Sequence, residues 1–455
     1  MKPLFILLFT AWISTIPSDV QAQKKVWTLE ECLRYAMDSN ITVLQADLSR
    51  RISRNTYIQS KINVLPTISA SASYGFNFGY SINPTTYSYV KENSQTFSPS
   101  GTANLILFSG LQQVNTIKKD KYDLAGYTSD YMTAINNTVL NVTNLFLQVV
   151  LNKELIKVAQ KQVNISQSQL DVAKAKIKAG TLAEAAIYDF EAQLARDQAS
   201  ILTQTNSNGI SLLTLQIALQ IPDQQAFDII VPDINIGEVM TFDKLNPHDI
   251  YEYAIQTQPS IKAAQARLQS ALYSIKVARG TLSPTFSVSY NVRDNYFNQP
   301  SLAFVNGQLT NELLPLKTQF NQNLANNLSF NASIPIFSGW QKMTTIANTK
   351  LQYQIQKLNI ETANNTLQQN VYQSYYNAKG YAQSYVANLK ALESQQKAFE
   401  VAQKRYDAGL AAAYELEQTR DNLARSESNA IQAKYNYIFS VKVLDFYQGK
   451  RITLN

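Results

Sequence analysis

The residue types behind most enzymatic chemistry are nearly missing from this sequence. Of 455 residues, one is cysteine, Cys32, and one is histidine, His248. A nucleophile–base pair or a zinc site needs several such groups brought together, and a lone histidine supports neither. Cys32 sits in the helical pattern LEECLRYAM and reads as a small core residue, and a disulfide framework within the chain is excluded. His248 stands beside Pro247 where a helix would start. Catalysis by paired carboxylates stays conceivable, yet no pair is marked out by its spacing. No nucleotide motif, metal-ligand set or redox residue is visible either. The expectation is a protein that is not an enzyme and has no cofactor. Five methionines in all weigh against a route for soft metal ions.

Forty Lys and Arg against 33 Asp and Glu give a net charge of +7. The basic residues are scattered along helical stretches and never alternate with aromatics as a nucleic-acid groove requires, so they predict a solvated surface and no nucleic-acid partner. The chain opens with Lys2, an apolar run Leu4–Ile16 and then PSDVQA. That order is a secretory signal peptide, with the cut expected after Ala22. The apolar run is too short to cross ~30 Å of hydrocarbon as a helix. The position after the cut is not cysteine, so no lipid-modified N-terminus is expected. Export is therefore predicted, without an anchor at this end.

Proline placement organises the rest. None falls between Pro99 and Pro222 or after Pro335, which leaves two tracts free to be mostly helical. The halves align. INVLPTISASASYGF (Ile62–Phe76) matches RGTLSPTFSVSYNV (Arg279–Val292) with Pro66 on Pro284, an offset of 218. LILFSGLQQ (Leu105–Gln113) then matches IPIFSGWQK (Ile334–Lys342) at an offset of 229, so the second half carries eleven extra residues between these points. The offset of 229 persists through VAKAKIKAG (Val172–Gly180) over VAQKRYDAG (Val401–Gly409), and through the two LAR triplets at 194 and 423. A register held that far without gaps marks a rigid element of fixed length, written twice.

Each half predicts a helix (Thr28–Val64; His248–Leu282), then an extended pair, then a long helical hairpin. In TISASASYGFNFGYS (Thr67–Ser81), Ile68, Ala70, Ala72, Tyr74, Phe76, Phe78 and Tyr80 alternate with serine, glycine and asparagine. Period two over this length is a strand with an apolar face and a small, uncharged polar face. TFSVSYNVR repeats the pattern, as does NLSFNASIPI through Leu328, Phe330, Ala332, Ile334 and Ile336. Aromatic residues gather at the strand ends away from the helices, as in a membrane girdle. Four strands cannot close a membrane barrel, and an open edge in lipid leaves backbone donors unpaired. The chain must then pool strands with copies of itself: two chains give eight, three give twelve.

Gly110–Gly180 and Gly339–Gly409 would each span about 105 Å if helical, and the returning segment Thr181–Gln220 about 60 Å. Two shorter helices end to end thus match one long one. Val371, Tyr375, Ala378, Ala382, Tyr385, Leu389, Leu392, Phe399 and Tyr406 repeat at three and four residues, as do Val142, Phe146, Val149, Ile156, Val163, Leu170 and Ile177. That spacing suits helices packed side by side as coiled coils.

In the signal peptide, the WTLEECLRYAMDSN entering helix, the LP and SP strand starts, the two FSG junctions and the two AG turns, the chain resembles the TolC-like outer-membrane efflux protein family. The resemblance implies a mainly α fold with a membrane β-barrel part, a homotrimer closing a twelve-stranded barrel above a helical tunnel. It implies localisation in the outer membrane of a Gram-negative bacterium with a large periplasmic part. It implies a passive exit duct of a tripartite efflux or type I secretion system for small molecules such as drugs, with outer-membrane lipid, a periplasmic adaptor protein and an inner-membrane pump (proton-driven or ATP-driven) as partners. Protein secretion and metal-ion efflux use similar ducts, and a secreted trimeric structural or adhesive stalk is the reading from another class. The expected organisation is a signal peptide (1–22), a first repeat (23–220, strand pair at about 67–108), a connector (221–247), a second repeat (248–449, strand pair at about 285–337) and a C-terminal tail (450–455).

Residues carried over from the resemblance lie at the far turns. The family's adaptor-contacting tips match Ala179, Gly180, Thr181 and Leu182, and Ala408, Gly409, Leu410 and Ala411. Glycine there either serves contact or only makes the turn, for which its tolerance of positive φ suffices. The family's acidic periplasmic gate matches Glu415, with Glu417 nearby; its next acid is replaced by Gln418. In the first half Ala186 stands where an acid is often found, and Asp189 lies one turn on. Tripled about an axis, such carboxylates would attract cations; the other reading is that they are solvated helix residues.

Overall fold

The computed structural model describes residues 25–82, 89–91, 93–222, 226–232, 234, 239, 242, 245–298, 300–305 and 308–453. The expected signal peptide lies outside them, as do parts of the connector and the last two residues of the tail.

A short strand, β1 (Lys25–Trp27), leads into α1 (Leu29–Ser39). Thr28 and Glu31 cap the start reciprocally: Glu31 N–H donates to the Thr28 hydroxyl at 3.3 Å, and Thr28 N–H to the Glu31 carboxylate at 2.9 Å. The helix ends at Asn40, which is extended (φ −65°, ψ 128°) and accepts from Thr42 N–H to start α2 (Ile41–Ile62). The single helix expected over 28–64 is therefore two. The break has a use: Ser39 Oγ and Asn40 Nδ2 donate to the terminal carbonyls of Leu219 and Ala218 on another helix. Strand β2 (Thr67–Asn77) follows, then the small hairpin β3 (Tyr80–Ile82) and β4 (Tyr89–Lys91), and the long strand β5 (Ser94–Ser109). Helix α3 (Gln112–Lys178) runs for 67 residues, about 100 Å. After a 3-10 turn (Glu184–Ala186), α4 (Ile187–Leu219) returns, and β6 (Phe227–Ile229) pairs in parallel with β1.

The second half repeats this order. Helix α5 (Pro247–Thr257) ends at Gln258 with the backbone of Asn40 (φ −66°, ψ 128°), and α6 (Pro259–Gly280) starts on Pro259, whose missing N–H suits a first turn. The second entering helix is thus also two, broken 218 residues after the first. Then come β7 (Thr285–Arg293), the short β8 (Tyr296–Phe297), a hairpin β9 (Ser301–Val305) and β10 (Gln308–Glu312), helix α7 (Leu316–Asn323) and β11 (Ala325–Ser333). The β9–β10 hairpin and α7 take up the additional residues of this half. Helix α8 (Gln341–Asp407) has the same 67 residues as α3, displaced by 229 at both ends, and α9 (Ala413–Tyr447) returns.

The main sheet has the order β11–β7–β5–β2, antiparallel throughout, with β8 added beside β5. Its registers put Ile68, Tyr74, Phe97, Leu105, Val288, Tyr290, Leu328 and Phe330 on one face, and on the other Ser71, Ser100, Thr102, Ser289, Asn291, Ser329 and Asn331. A bulge at Leu107 shifts β5 by one residue, which returns Phe108 to the apolar face opposite Phe286, with ring centroids 6.2 Å apart. Two expectations are corrected. Strand β11 ends at Ser333 rather than continuing to Ile336, because Pro335 has no N–H for the ladder. The polar face is not wholly uncharged: it carries Arg293, at the end of β7.

Below the sheet α2, α3, α6 and α8 pack side by side; further down, α4 and α9 take the places of α2 and α6. Two cores sit where the short helices meet end to end. Val142, Phe146 and Val149 of α3 pack with Trp27, Cys32, Leu215 and Ile229. Val371, Tyr375, Ala378 and Ala382 of α8 pack with Ile250, Ile261 and Leu444. Burial and the nearby Glu31 push the Cys32 thiol up to about 12, so it is inert packing. Toward the far end Leu389 is exposed, lining a groove of α8 with Val158 of α3 and Ala430 of α9.

Candidate functional site at the helical tips

Helices α3 and α8 end in the same way. Gly180 and Gly409 are left-handed (φ 70° and 74°), following Ala179 and Ala408. Gly180 N–H donates to Ile177 O and Thr181 N–H to Lys176 O; Gly409 N–H donates to Tyr406 O and Leu410 N–H to Arg405 O. These bonds satisfy the last helical carbonyls by reversing the chain, and positive φ is what selects glycine there. A Cβ at either glycine would meet nothing within 4 Å, so the turn alone accounts for the residue type. Ala179, Thr181, Ala408 and Leu410 are exposed; Leu182 is half-buried, joining Phe190, Leu170, Tyr406 and Ala413 in a small core that holds the two tips together, and Ala411 is also half-buried. Lys176 lies over the Tyr406 ring at 4.8 Å, a second link between them.

The four candidate gate residues all lie in the first turns of α4 and α9, and their side chains take different partners. Glu415, in the first turn of α9, pairs with Arg405 across the turn (Nη1–Oε1 2.6 Å). Gln418 and Asp189 are exposed, and among the described residues they share no hydrogen bond with Glu415 or each other. Glu417 instead turns inward toward Arg420, at 3.1 Å.

Arg420 is the residue that sequence reasoning missed. It is 1 % exposed, although it lies in a helix that reads as solvated. Its Nη1 donates to Gln169 Oε1 of α3 (3.2 Å), and its Nη2 lies within 3.2 Å of Asp197 of α4 and of Asp421. Asp197 also accepts from Ser166 Oγ at 2.7 Å and from Gln193 Nε2 at 3.2 Å. One guanidinium thus ties both returning helices to α3. The cluster is not duplicated: 229 residues earlier, Arg420 corresponds to Glu191. The pairing is incomplete, since Arg420 Nε and both Glu417 oxygens lack a hydrogen-bond partner in the structure. Burial holds the Glu417 carboxyl above its ordinary value against the pull of Arg420, with Asp421 and Asp197 adding to the rise. Buried ionic groups left partly unpaired are costly, so this cluster holds three helices together at less than its full strength. The signal that could have found it is a lone arginine at a position of α9 otherwise given to Leu416, Leu423 and Ala430, all buried.

Residues 33–219 and 250–450 match the outer membrane efflux protein family. The outer membrane protein TolC of Salmonella enteritidis is 25% identical over 221 residues, 45% of this chain and 42% of that protein. Protein CyaE of Bordetella pertussis is 21% identical over 311 residues, 68% of this chain and 60% of its own length. The matched parts thus span about half the length of these relatives. Among solved structures, CusC superposes with a TM-score of 0.76 at 15% identity, covering 93% of this chain and 92% of that one. The likeness covers sheet and helices together, and the family match takes in both halves of the chain: the protein belongs to the outer membrane efflux protein family.

Proposed function

We propose that the protein is the outer-membrane exit duct of a tripartite exporter, a homotrimer that passes small molecules from periplasm to exterior and does no chemistry itself. The observation that carries the reading is the four-stranded sheet. It is apolar on one face and polar on the other, and among the described residues its two outermost strands, β2 and β11, have unpaired edges. Lipid forbids such edges, so the sheet is completed by β2 of one copy beside β11 of the next. The helices expose apolar residues as well: Leu48 and Ile52 on α2, Leu202 and Ile210 on α4, Leu351 and Leu358 on α8. Three copies give twelve strands, and α8 of one copy then packs against α2 and α4 of its neighbour. A secreted stalk would have no use for the exposed apolar face of the sheet.

At the other end, the tips 179–182 and 408–411, exposed at 179–181 and 408–410, are the surface offered to a periplasmic adaptor, which connects the duct to an inner-membrane pump that supplies the energy. Glu415, Gln418 and Asp189 face the gate, Glu417 and Arg420 form its latch, and opening shifts α4 and α9 against α3 and α8. The test is a disulfide between the two hairpin tips, through cysteines introduced at Leu182 and Ala413. Export should stop while the heat-modifiable trimer still forms in detergent. Export that continues through cross-linked tips sinks the gating scheme; a chain extracted by salt alone as a monomer sinks the duct.

A further inference from the structure

Among the residues of the four main strands β2, β5, β7 and β11, a single one is charged, Arg293. It continues the series Thr285, Ser287, Ser289, Asn291 along β7, so it lies on the polar face, which is the inner face of a membrane barrel. Its register partners are Ser100 on one side and Ala325 on the other. Both are small and uncharged. Arg293 is exposed and has no ion pair or hydrogen bond from its side chain among the described residues. Thr285 joins the helical part, and Arg293 stands about 25 Å further along the strand, at the outer end. Nothing in the fold needs a charge here, for it contributes neither to a core nor to a cap.

We propose that Arg293, repeated in three subunits, is the charge-selecting element of the outer mouth, favouring the passage of anions over cations. This rests on the trimeric duct proposed above and adds a residue that sets its preference. Twelve strands about 4.8 Å apart and tilted ~40° close at a backbone radius of about 12 Å. A guanidinium reaching inward from that radius comes within about one Debye length of the axis, ~8 Å at physiological salt. Every ion leaving through the barrel therefore crosses the field of three like charges; the adjoining carboxylate, Asp294, is buried at 8% exposure with Oδ1 accepting from Asn295 N–H, and by strand alternation it follows Arg293 on the opposite face. The acidic residues at the far gate act with the opposite sign, so the two ends of the duct are distinguished by charge.

The test is the reversal potential of the purified protein in planar bilayers across a tenfold KCl gradient, with wild type and with Arg420→Ala as a background in which the periplasmic end is released. Arg293→Gln should lower the chloride-to-potassium permeability ratio by about twofold, and Arg293→Glu by more, while Arg293→Lys keeps the parent ratio. At 1 M salt, where screening shortens to ~3 Å, the variants should converge. Channels that conduct with a ratio indifferent to residue 293 overturn the proposal and leave the duct standing. Purified trimer that gives no conductance in either background overturns the duct reading, and this proposal with it.

Discussion

Removing the guanidinium of Arg420 would leave Asp197 and Glu417 facing each other with 14% and 17% of their side chains exposed. Breaking a buried ion pair from one side costs about 3–5 kcal/mol. Arg420→Met should therefore loosen the far ends of α4 and α9 without disturbing the cores higher up. Amide hydrogen exchange resolved along the chain is the measurement: faster exchange at 187–197 and 413–421, with 142–150 unchanged. Glu417 gives a pH test. Its carboxyl is held above the ordinary 4.5, mainly by burial. A carboxyl whose value is higher in the folded chain contributes stability that is full below 4.5 and is lost as pH rises through the raised value. Glu417→Gln should remove that loss, so tip exchange in the variant should vary less with pH over this window than in the wild type. None of this was legible from sequence. Arg420 reads as one more solvated helix cation until Gln169, 251 residues away, is placed beside it.

At the scale of elements, the sequence carried the pattern well where a strict physical rule applies. The offset of 229 predicted two long helices of equal length because an uninterrupted helix tolerates neither insertion nor deletion. The strands were legible from period two and the tips from their glycines. The breaks at Asn40 and Gln258 were not, since both segments keep helical composition and the breaks answer to distant carbonyls such as Leu219 O. The Leu107 bulge hid in the apolar run LILF, where alternation gives no register. Glycine substitutions separate two kinds of constraint. Gly409→Ala forces a side chain into the left-handed region and should cost about 1–2 kcal/mol, read as a lower melting temperature; Gly409→Asn should cost less. Gly110 is left-handed too, but an added Cβ would lie 2.4 Å from Gly280 O and 2.5 Å from Ser283 Cβ. Gly110→Ala should therefore fail to fold, whereas Gly339→Ala, also left-handed but with a Cβ that meets nothing within 4 Å among the described residues, should carry only the backbone cost of Gly409→Ala and yield a folded subunit. Protease resistance of the purified subunit in detergent distinguishes the two.

For the whole molecule, one requirement links the halves: a sheet with two open edges above helices of about 100 Å is stable in a membrane only as part of a closed ring. In the ring proposed above, α8 lies against the exposed apolar residues of α2 and α4 of the next copy. The most direct test is cysteine cross-linking of the two edges. Single cysteines are placed pairwise along 67–73 of β2 and 325–331 of β11, with Cys32 buried and inert. Closure between neighbouring copies predicts that in-register pairs form disulfides between subunits and run as a covalent trimer on denaturing gels, while pairs one residue out of register do not. Cross-links confined within single chains, or a covalent ladder that runs past three copies, would contradict the account.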